Sequence, residues 1–170
     1  MIGLSNYSDY ISQSFLDYPD NESLSIIFYM PGCDRNCKGC QNSNLKDFQG
    51  YENIDILVQL LKEKCIKEHT NKICLQGGDP LFKNNLFFTK YILNKLGQKF
   101  DICIYTGASI QEVKFLNLKN FKYIKCGIFD SKKFIGSKKT EEYIQFATSN
   151  QELYDSDLNL LSQKGIYYFK

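Results

Sequence analysis

The chain has 170 residues, about one domain by length, and 21 Lys and Arg against 19 Asp and Glu, a formal net charge of +2. With 43% apolar and 15% aromatic residues it can build a hydrophobic core, which excludes a disordered chain, a collagen-like chain and a small disulfide knot. Its longest unbroken apolar run, residues 26–30, is far short of the roughly 18 residues a membrane span needs.

Taken in order, residues 24–30 form a nearly continuous apolar run, the pattern of a strand covered on both faces. A loop with Cys33, Cys37 and Cys40 follows. Ile54, Leu57, Val58, Leu61 and Cys65 then recur at helical spacing, with Asn53 as N-cap. Residues 72–76 read as a second strand, broken by Gly77-Gly78-Asp79-Pro80. Residues 86–96 are helical with a wide apolar face, and Gly97 stands where a C-terminal cap belongs. A third strand over 101–105 ends at Thr106-Gly107, and Ser109-x-x-Glu112 forms a capping box that starts a helix near Ile110. A fourth strand, 122–126, ends at Gly127. Beyond residue 130 the pattern weakens, with 143–148 and 166–169 as further strands between polar loops.

Strands alternating with helices imply an α/β fold of mostly parallel strands with right-handed crossovers, which binds ligands at the strands' carboxyl ends. Those ends carry the cysteine cluster, Gly-Gly-Asp, Thr-Gly and Cys-Gly. Four units are too few for an eight-stranded barrel, so a partial, open (βα) barrel is expected, as one domain over 1–170 because no linker divides the chain.

Residues 1–22 hold Asp9, Asp17, Asp20 and Glu22 and no Lys or Arg, unlike a signal or transit peptide. A soluble, cytoplasmic protein is expected. The basic residues are 20 Lys and a single Arg, Arg35, and Lys substitutes poorly for the guanidinium forks that read phosphates and guanines. Lys132-Lys133 and Lys138-Lys139 read as solvated loop, so neither nucleic acid nor membrane is an expected partner.

Seven cysteines without an export signal argue against a disulfide framework. Cys65, Cys74, Cys103 and Cys126 fall in apolar periodic segments and read as small core hydrophobes, and His69 as a surface residue. Cys33, Cys37 and Cys40 have a C-x3-C-x2-C spacing. Three thiolates on one loop can hold three irons of a [4Fe-4S] cube and leave the fourth open. Structural zinc wants four ligands, and Cys65 or His69 could complete such a site only by reaching out of the following helix.

Gly77-Gly78-Asp79 has two readings: a tight turn, or a cradle in which main-chain carbonyls and the Asp79 carboxylate accept from a cationic amine. Thr106 likewise stands in an ordinary turn or at a cofactor contact. Gly39 and Gln41 flank Cys40 and could touch a cofactor through their main chain.

On these residues the chain resembles the radical S-adenosylmethionine enzymes. More narrowly, Gly32-Cys33-x3-Cys37-x-Gly39-Cys40-x-Asn42 is similar to the activating proteins of anaerobic ribonucleotide reductases. Gln76-Gly-Gly-Asp-Pro-Leu81, Tyr105-Thr-Gly107, Tyr123-Ile-Lys-Cys-Gly127 and Thr148-Ser-Asn-Gln151 extend the likeness over residues 24–151. Gly39 departs from the aromatic that many radical enzymes carry there, and Cys126 replaces an aliphatic or acidic residue.

The resemblance implies a radical SAM-type open barrel and a [4Fe-4S] cluster on Cys33, Cys37 and Cys40. It also implies S-adenosylmethionine against Gly39, Cys40, Gln41, Gly77, Gly78, Asp79 and Thr106. The implied reaction passes one electron to the sulfonium, and the resulting 5′-deoxyadenosyl radical takes an α-hydrogen from a glycine of the partner. That partner would be the large subunit of an anaerobic (class III) ribonucleotide reductase, with flavodoxin or ferredoxin as electron donor. A radical enzyme acting on a small molecule, as in the deazaguanine-forming group, and a non-catalytic iron–sulfur or zinc module are the alternatives. The segment after residue 130, including Thr148–Gln151, is the expected docking surface.

Overall fold

The computed structural model describes residues 6–21 and 24–169; Glu22, counted above in the acidic N-terminal stretch, and residues 1–5 lie outside them. The elements run β1 (Ile11–Ser14), β2 (Ser25–Met30), α1 (Ile54–Lys67), β3 (Lys72–Gly77), α2 (Leu86–Leu96) and β4 (Asp101–Tyr105). Then come α3 (Ile110–Leu116), β5 (Tyr123–Cys126), β6 (Lys138–Lys139), β7 (Tyr143–Gln145), β8 (Glu152–Asp155) and β9 (Ile166–Tyr168).

One sheet has the order β1-β2-β3-β4-β5-β8. Its centre, β2 to β5, is parallel and in register from Ile26 opposite Ile73 to Tyr105 opposite Lys125. β1 and β8 flank it antiparallel and do not pair with each other, so the sheet stays open. The expected parallel centre is present. β1 and β8 had no signal strong enough to predict: β1 is largely exposed, and β8 is a four-residue edge.

Alternation along each central strand divides the core. Ile26, Phe28 and Met30 of β2, Ile73 and Leu75 of β3, and Ile102 and Ile104 of β4 pack under the helices with Leu57, Leu61, Ile92 and Val113. The opposite side chains, Ile27, Cys74 and Cys103, pack with Tyr18. Burial on both faces is why these strands read as unbroken apolar runs. Cys65, Cys74, Cys103 and Cys126 are all buried, as their apolar settings suggested.

The helix starts follow local chemistry. The Asn53 side chain accepts from the Asp55 N–H at 3.1 Å, and Ser109 and Glu112 form the reciprocal capping box. Gly97 does stand at the end of α2, but in right-handed backbone (φ −68°) rather than the left-handed cap that its glycine suggested. A Cβ there would lie 1.9 Å from the Asn120 carbonyl oxygen, so close approach, and not φ, requires the glycine.

The weakly patterned C-terminal part forms a second sheet, β6-β7-β9. Ile144, Phe146 and Tyr167 join Leu153 of the first sheet and pack on Tyr105 and Tyr123. Lys138-Lys139, read as solvated loop, is instead strand β6. The Lys139 side chain is 7% exposed, with Nζ donating to the Tyr18 carbonyl at 2.8 Å and 4.0 Å from the Asp20 carboxylate. Burial lowers its pKa below the usual lysine range. No helix among the described residues is long and apolar enough to cross a membrane.

Gly97→Ala decides between two opposed effects. Alanine in right-handed backbone would by itself add about 0.4–1 kcal/mol of stability, whereas overpacking against a main-chain carbonyl removes about 1–3 kcal/mol. Net destabilisation is expected in chemical denaturation of the apo chain, and an equal or higher midpoint would show that the 118–121 loop yields freely.

Candidate functional site

The cysteine loop is clasped at its two ends: Gly32 N–H donates to the Leu45 carbonyl at 2.8 Å and Cys33 N–H to that of Lys46 at 2.9 Å. The Gly-Gly-Asp turn after β3 lies directly on it. Gly78 N–H donates to the Met30 carbonyl at 2.9 Å, and Asp79 N–H to the Gly32 carbonyl at 2.8 Å. A Cβ on Gly78 would sit 2.5 Å from the Gly32 oxygen, and Gly77 has φ +115° with Met30 N 2.8 Å from its Cβ position. The sequence suggested glycines leaving room for a ligand. Their immediate neighbour is the protein's own main chain.

Two asparagines complete this seam. Asn42 donates to the Gly77 carbonyl at 3.2 Å. Asn85, fully buried, donates to the Gly32 carbonyl at 3.2 Å and to that of Asp79 at 2.9 Å. Sequence reasoning missed Asn85, since an Asn before a helix reads as an N-cap, and its side chain makes no capping bond here.

Asp79 is 1% exposed. One carboxylate oxygen accepts from Leu81 N–H at 2.9 Å and Thr106 Oγ1 at 2.6 Å. The other accepts from Gly107 N–H at 3.2 Å and faces Arg35 Nε at 3.5 Å. Thr106 Oγ1 also accepts from Ala108 N–H at 3.0 Å, so both predicted polar residues are engaged internally. Arg35 Nη2 donates to Glu112 at 2.8 Å. The Ser109 N–H and then Arg35 hold the Glu112 carboxyl down at about 2. Burial pushes the Cys33 thiol up, partly offset by the Arg35 N–H that donates to its Sγ at 3.4 Å.

These parts border a cleft of about 360 Å³ at the carboxyl ends of the parallel strands, a size suited to a small ligand. Cys33, Cys37 and Cys40 line it, and so do Gln41, Gly77, Gly78, Asp79 and Thr106. Gly39 stands outside the lining, exposed, in left-handed backbone at φ +79°. Lys125, Lys138 and Lys139 also line the cleft. Sequence reasoning missed all three, because Lys125 sits inside an apolar strand and the other two looked solvated. Lys125 Nζ lies 4.8 Å from the Tyr105 ring centroid and, among the described residues, has no carboxylate within ion-pair distance. Burial lowers its pKa.

The donor set fits an iron–sulfur cluster. All three thiols are free, half-buried and border the cleft. Among the described residues no three His, Cys, Asp or Glu side chains converge as one metal ion would require, whereas a cluster takes each thiolate on a separate iron. Cys65 is buried in α1 and His69 exposed beyond its end, and neither borders the cleft. Thr148 and Gln151, expected on a docking surface, are 0% and 5% exposed, with Thr148 N–H donating to Gln151 Oε1 at 3.2 Å. The exposed apolar groups of the later chain are Ile128, Phe134 and Ile135 instead, with Leu160 and Tyr168 farther on.

Comparison with known proteins points to an iron–sulfur protein. The chain is 24% identical over 112 residues to the anaerobic ribonucleoside-triphosphate reductase-activating protein of Enterobacteria phage T4, covering 64% of this chain and 70% of that protein. It is 25% identical over 155 residues to the protein of the same name from Pasteurella multocida (strain Pm70), covering 86% and 96%. No solved structure matches. The model of a family described as a 4Fe-4S single cluster domain matches residues 22–154, and the chain belongs to that family.

Proposed function

We propose that this chain is a radical S-adenosylmethionine activase that generates a glycyl radical on the large subunit of an anaerobic (class III) ribonucleotide reductase. The observation that carries the reading is the seam itself: a three-thiol loop and a Gly-Gly-Asp turn bonded to each other at the mouth of one cleft. The names of the two relatives support the partner. In this reading the open sheet is a partial radical SAM-type (βα) barrel, residues 1–170 act as one domain in the cytoplasm, and flavodoxin or ferredoxin donates the electron.

Cys33, Cys37 and Cys40 would hold the cluster. Gly39, Cys40, Gln41, Gly77, Gly78, Asp79 and Thr106 would form the S-adenosylmethionine site. Bound there, the two groups would supply the one-electron radical chemistry that the reaction on a glycine needs. The protein's own part is placement and exclusion of water. Asp79, with its oxygens already engaged, fixes the turn and the Thr106-Gly107 strand end, so that main-chain carbonyls present themselves to an ammonium group.

The chain purified without oxygen should bind about one [4Fe-4S] cluster. Cys33→Ala, Cys37→Ala and Cys40→Ala should each abolish it, while Cys65→Ala and Cys103→Ala retain it; stoichiometric zinc without iron would overturn the assignment. Asp79→Ala should keep the cluster and weaken S-adenosylmethionine about tenfold, an effect of about 1.4 kcal/mol, because the turn that presents the main-chain carbonyls loses its hydrogen bonds from Thr106 and Gly107. An unchanged titration of the cluster's spectrum would show that the turn presents its carbonyls without Asp79 and overturn this role.

The functional test is anaerobic electron paramagnetic resonance of the reduced chain mixed with S-adenosylmethionine and the cognate reductase. A persistent glycyl doublet on the reductase with release of 5′-deoxyadenosine is expected. Cofactor cleavage with turnover of a small molecule, and no radical on the reductase, would transfer the assignment to a small-molecule enzyme.

A further inference from the structure

We infer that Arg35, the chain's single arginine, is a positioning residue that sets the cysteine loop against the cofactor turn, an inference that rests on the function proposed above. Arg35 lies between Cys33 and Cys37, and its own N–H donates to Cys33 Sγ at 3.4 Å. Its side chain leaves the loop across Gly107, where a Cβ would come within 3.1 Å of Arg35 Cγ. The guanidinium then donates to Glu112 through Nη2 at 2.8 Å, while its buried Nε lies 3.5 Å from Asp79 and 3.9 Å from Asp34 as an ion-pair contact without a hydrogen bond among the described residues. One side chain thus ties together the metal-binding loop, the turn after β3, the end of β4 and the start of α3.

The ordinary reading is a surface ion pair of little consequence. It suits the Glu112 end, which is 49% exposed. It does not suit the Asp79 end, which is 1% exposed. Asp79 has only neutral donors apart from this guanidinium, and a buried carboxylate deprived of its cation is strongly disfavoured. Loss of Arg35 therefore acts at two places: the loop loses its lateral tie, and Asp79 loses the charge that keeps it aligned on Thr106 and Gly107. Lysine cannot replace it, because a single ammonium cannot face two carboxylates on divergent directions as a planar fork does.

The experiment uses the full chain, reconstituted anaerobically, as wild type, Arg35→Gln, Arg35→Lys, Glu112→Gln and the Arg35→Gln/Glu112→Gln double variant. Two quantities are read: the rate of iron release to a chelator, and the S-adenosylmethionine concentration giving half of the change in the reduced cluster's paramagnetic spectrum. Thermal midpoints of the apo forms monitor folding. Arg35→Gln should release iron about tenfold faster and need about tenfold more S-adenosylmethionine, an effect equal to about 1.4 kcal/mol. Arg35→Lys should recover less than half of either change. Glu112→Gln should move both in the same direction by a smaller factor, and the double variant should match Arg35→Gln alone, as expected for one shared interaction.

Wild-type values for both quantities in Arg35→Gln, whatever its thermal midpoint, would overturn the inference while leaving the proposed function intact. If Arg35→Gln does not fold, Glu112→Gln decides, and wild-type behaviour there overturns it. A wild-type chain that takes up no cluster, or whose cluster ignores S-adenosylmethionine, overturns the function and this inference together.

Discussion

The site depends on one carbonyl oxygen. The Gly32 oxygen accepts from Asp79 N–H and from the Asn85 amide, and it has room for the Gly-Gly turn only because Gly78 has no Cβ. Each such bond adds about 1 kcal/mol net, but leaving the buried carbonyl unpaired would remove about 1–3 kcal/mol. The arrangement therefore behaves as one unit. Gly32 fixes where the cysteine loop leaves β2, Asp79 fixes where the turn leaves β3, and Asn85 fixes where α2 begins. The Gly-Gly-Asp turn and the cysteine loop, far apart in sequence, are two sides of the same hydrogen-bonded seam.

Strand alternation decides what the rest of the cleft is made of. Ile26, Phe28, Met30, Ile73, Leu75, Ile102 and Ile104 go under the helices, which leaves the other face to Ile27, Tyr29, Cys74, Gln76, Cys103 and Tyr105. Such a face tolerates polar groups at the strands' carboxyl ends, and Gln76, Tyr105 and Lys125 border the cleft there. The second sheet covers this face with Ile144, Phe146 and Tyr167, so the apolar part of the face is buried while the polar end stays open. The buried Tyr18 and Tyr105 hydroxyls, without hydrogen-bond partners among the described residues, mark where aromatic packing has prevailed over polar satisfaction.

Much of this was legible in the sequence because its causes are local. The runs at 24–30, 72–76 and 101–105 become strands since both of their faces are covered, and Asn53 and Ser109-x-x-Glu112 start helices because they satisfy main-chain donors three residues away or fewer. The cysteine spacing is local too. What could not be read depends on distant partners. The reason for Gly97 is Asn120, that for Gly78 is Gly32, and Lys139 is strand rather than loop because it pairs with Ile144 and reaches back to Tyr18. Thr148 and Gln151 are expected on a docking surface because the pattern weakens beyond residue 130, yet both are buried and Thr148 N–H donates to Gln151 Oε1. Hydrophobic periodicity carries no signal for polar residues buried in pairs.

Charge gives the last step. Asp79 is matched by Arg35, and Asp17 by the Gln76 amide at 3.3 Å, so the carboxylates bordering the cleft are already engaged. The lysines are less evenly engaged: Lys139 is held by the Tyr18 carbonyl, but Lys125 rests on an aromatic face with its pKa lowered by burial. An ammonium in that setting is unfavourable until negative charge comes near it. As the proposed iron ligands, Cys33, Cys37 and Cys40 would give up their protons and bring such charge into the same cleft. Under the proposed function the cysteine loop and Lys125, which line one cleft, would then favour each other's charged forms, the thiolates offering the negative charge that no carboxylate among the described residues supplies to Lys125 at ion-pair distance.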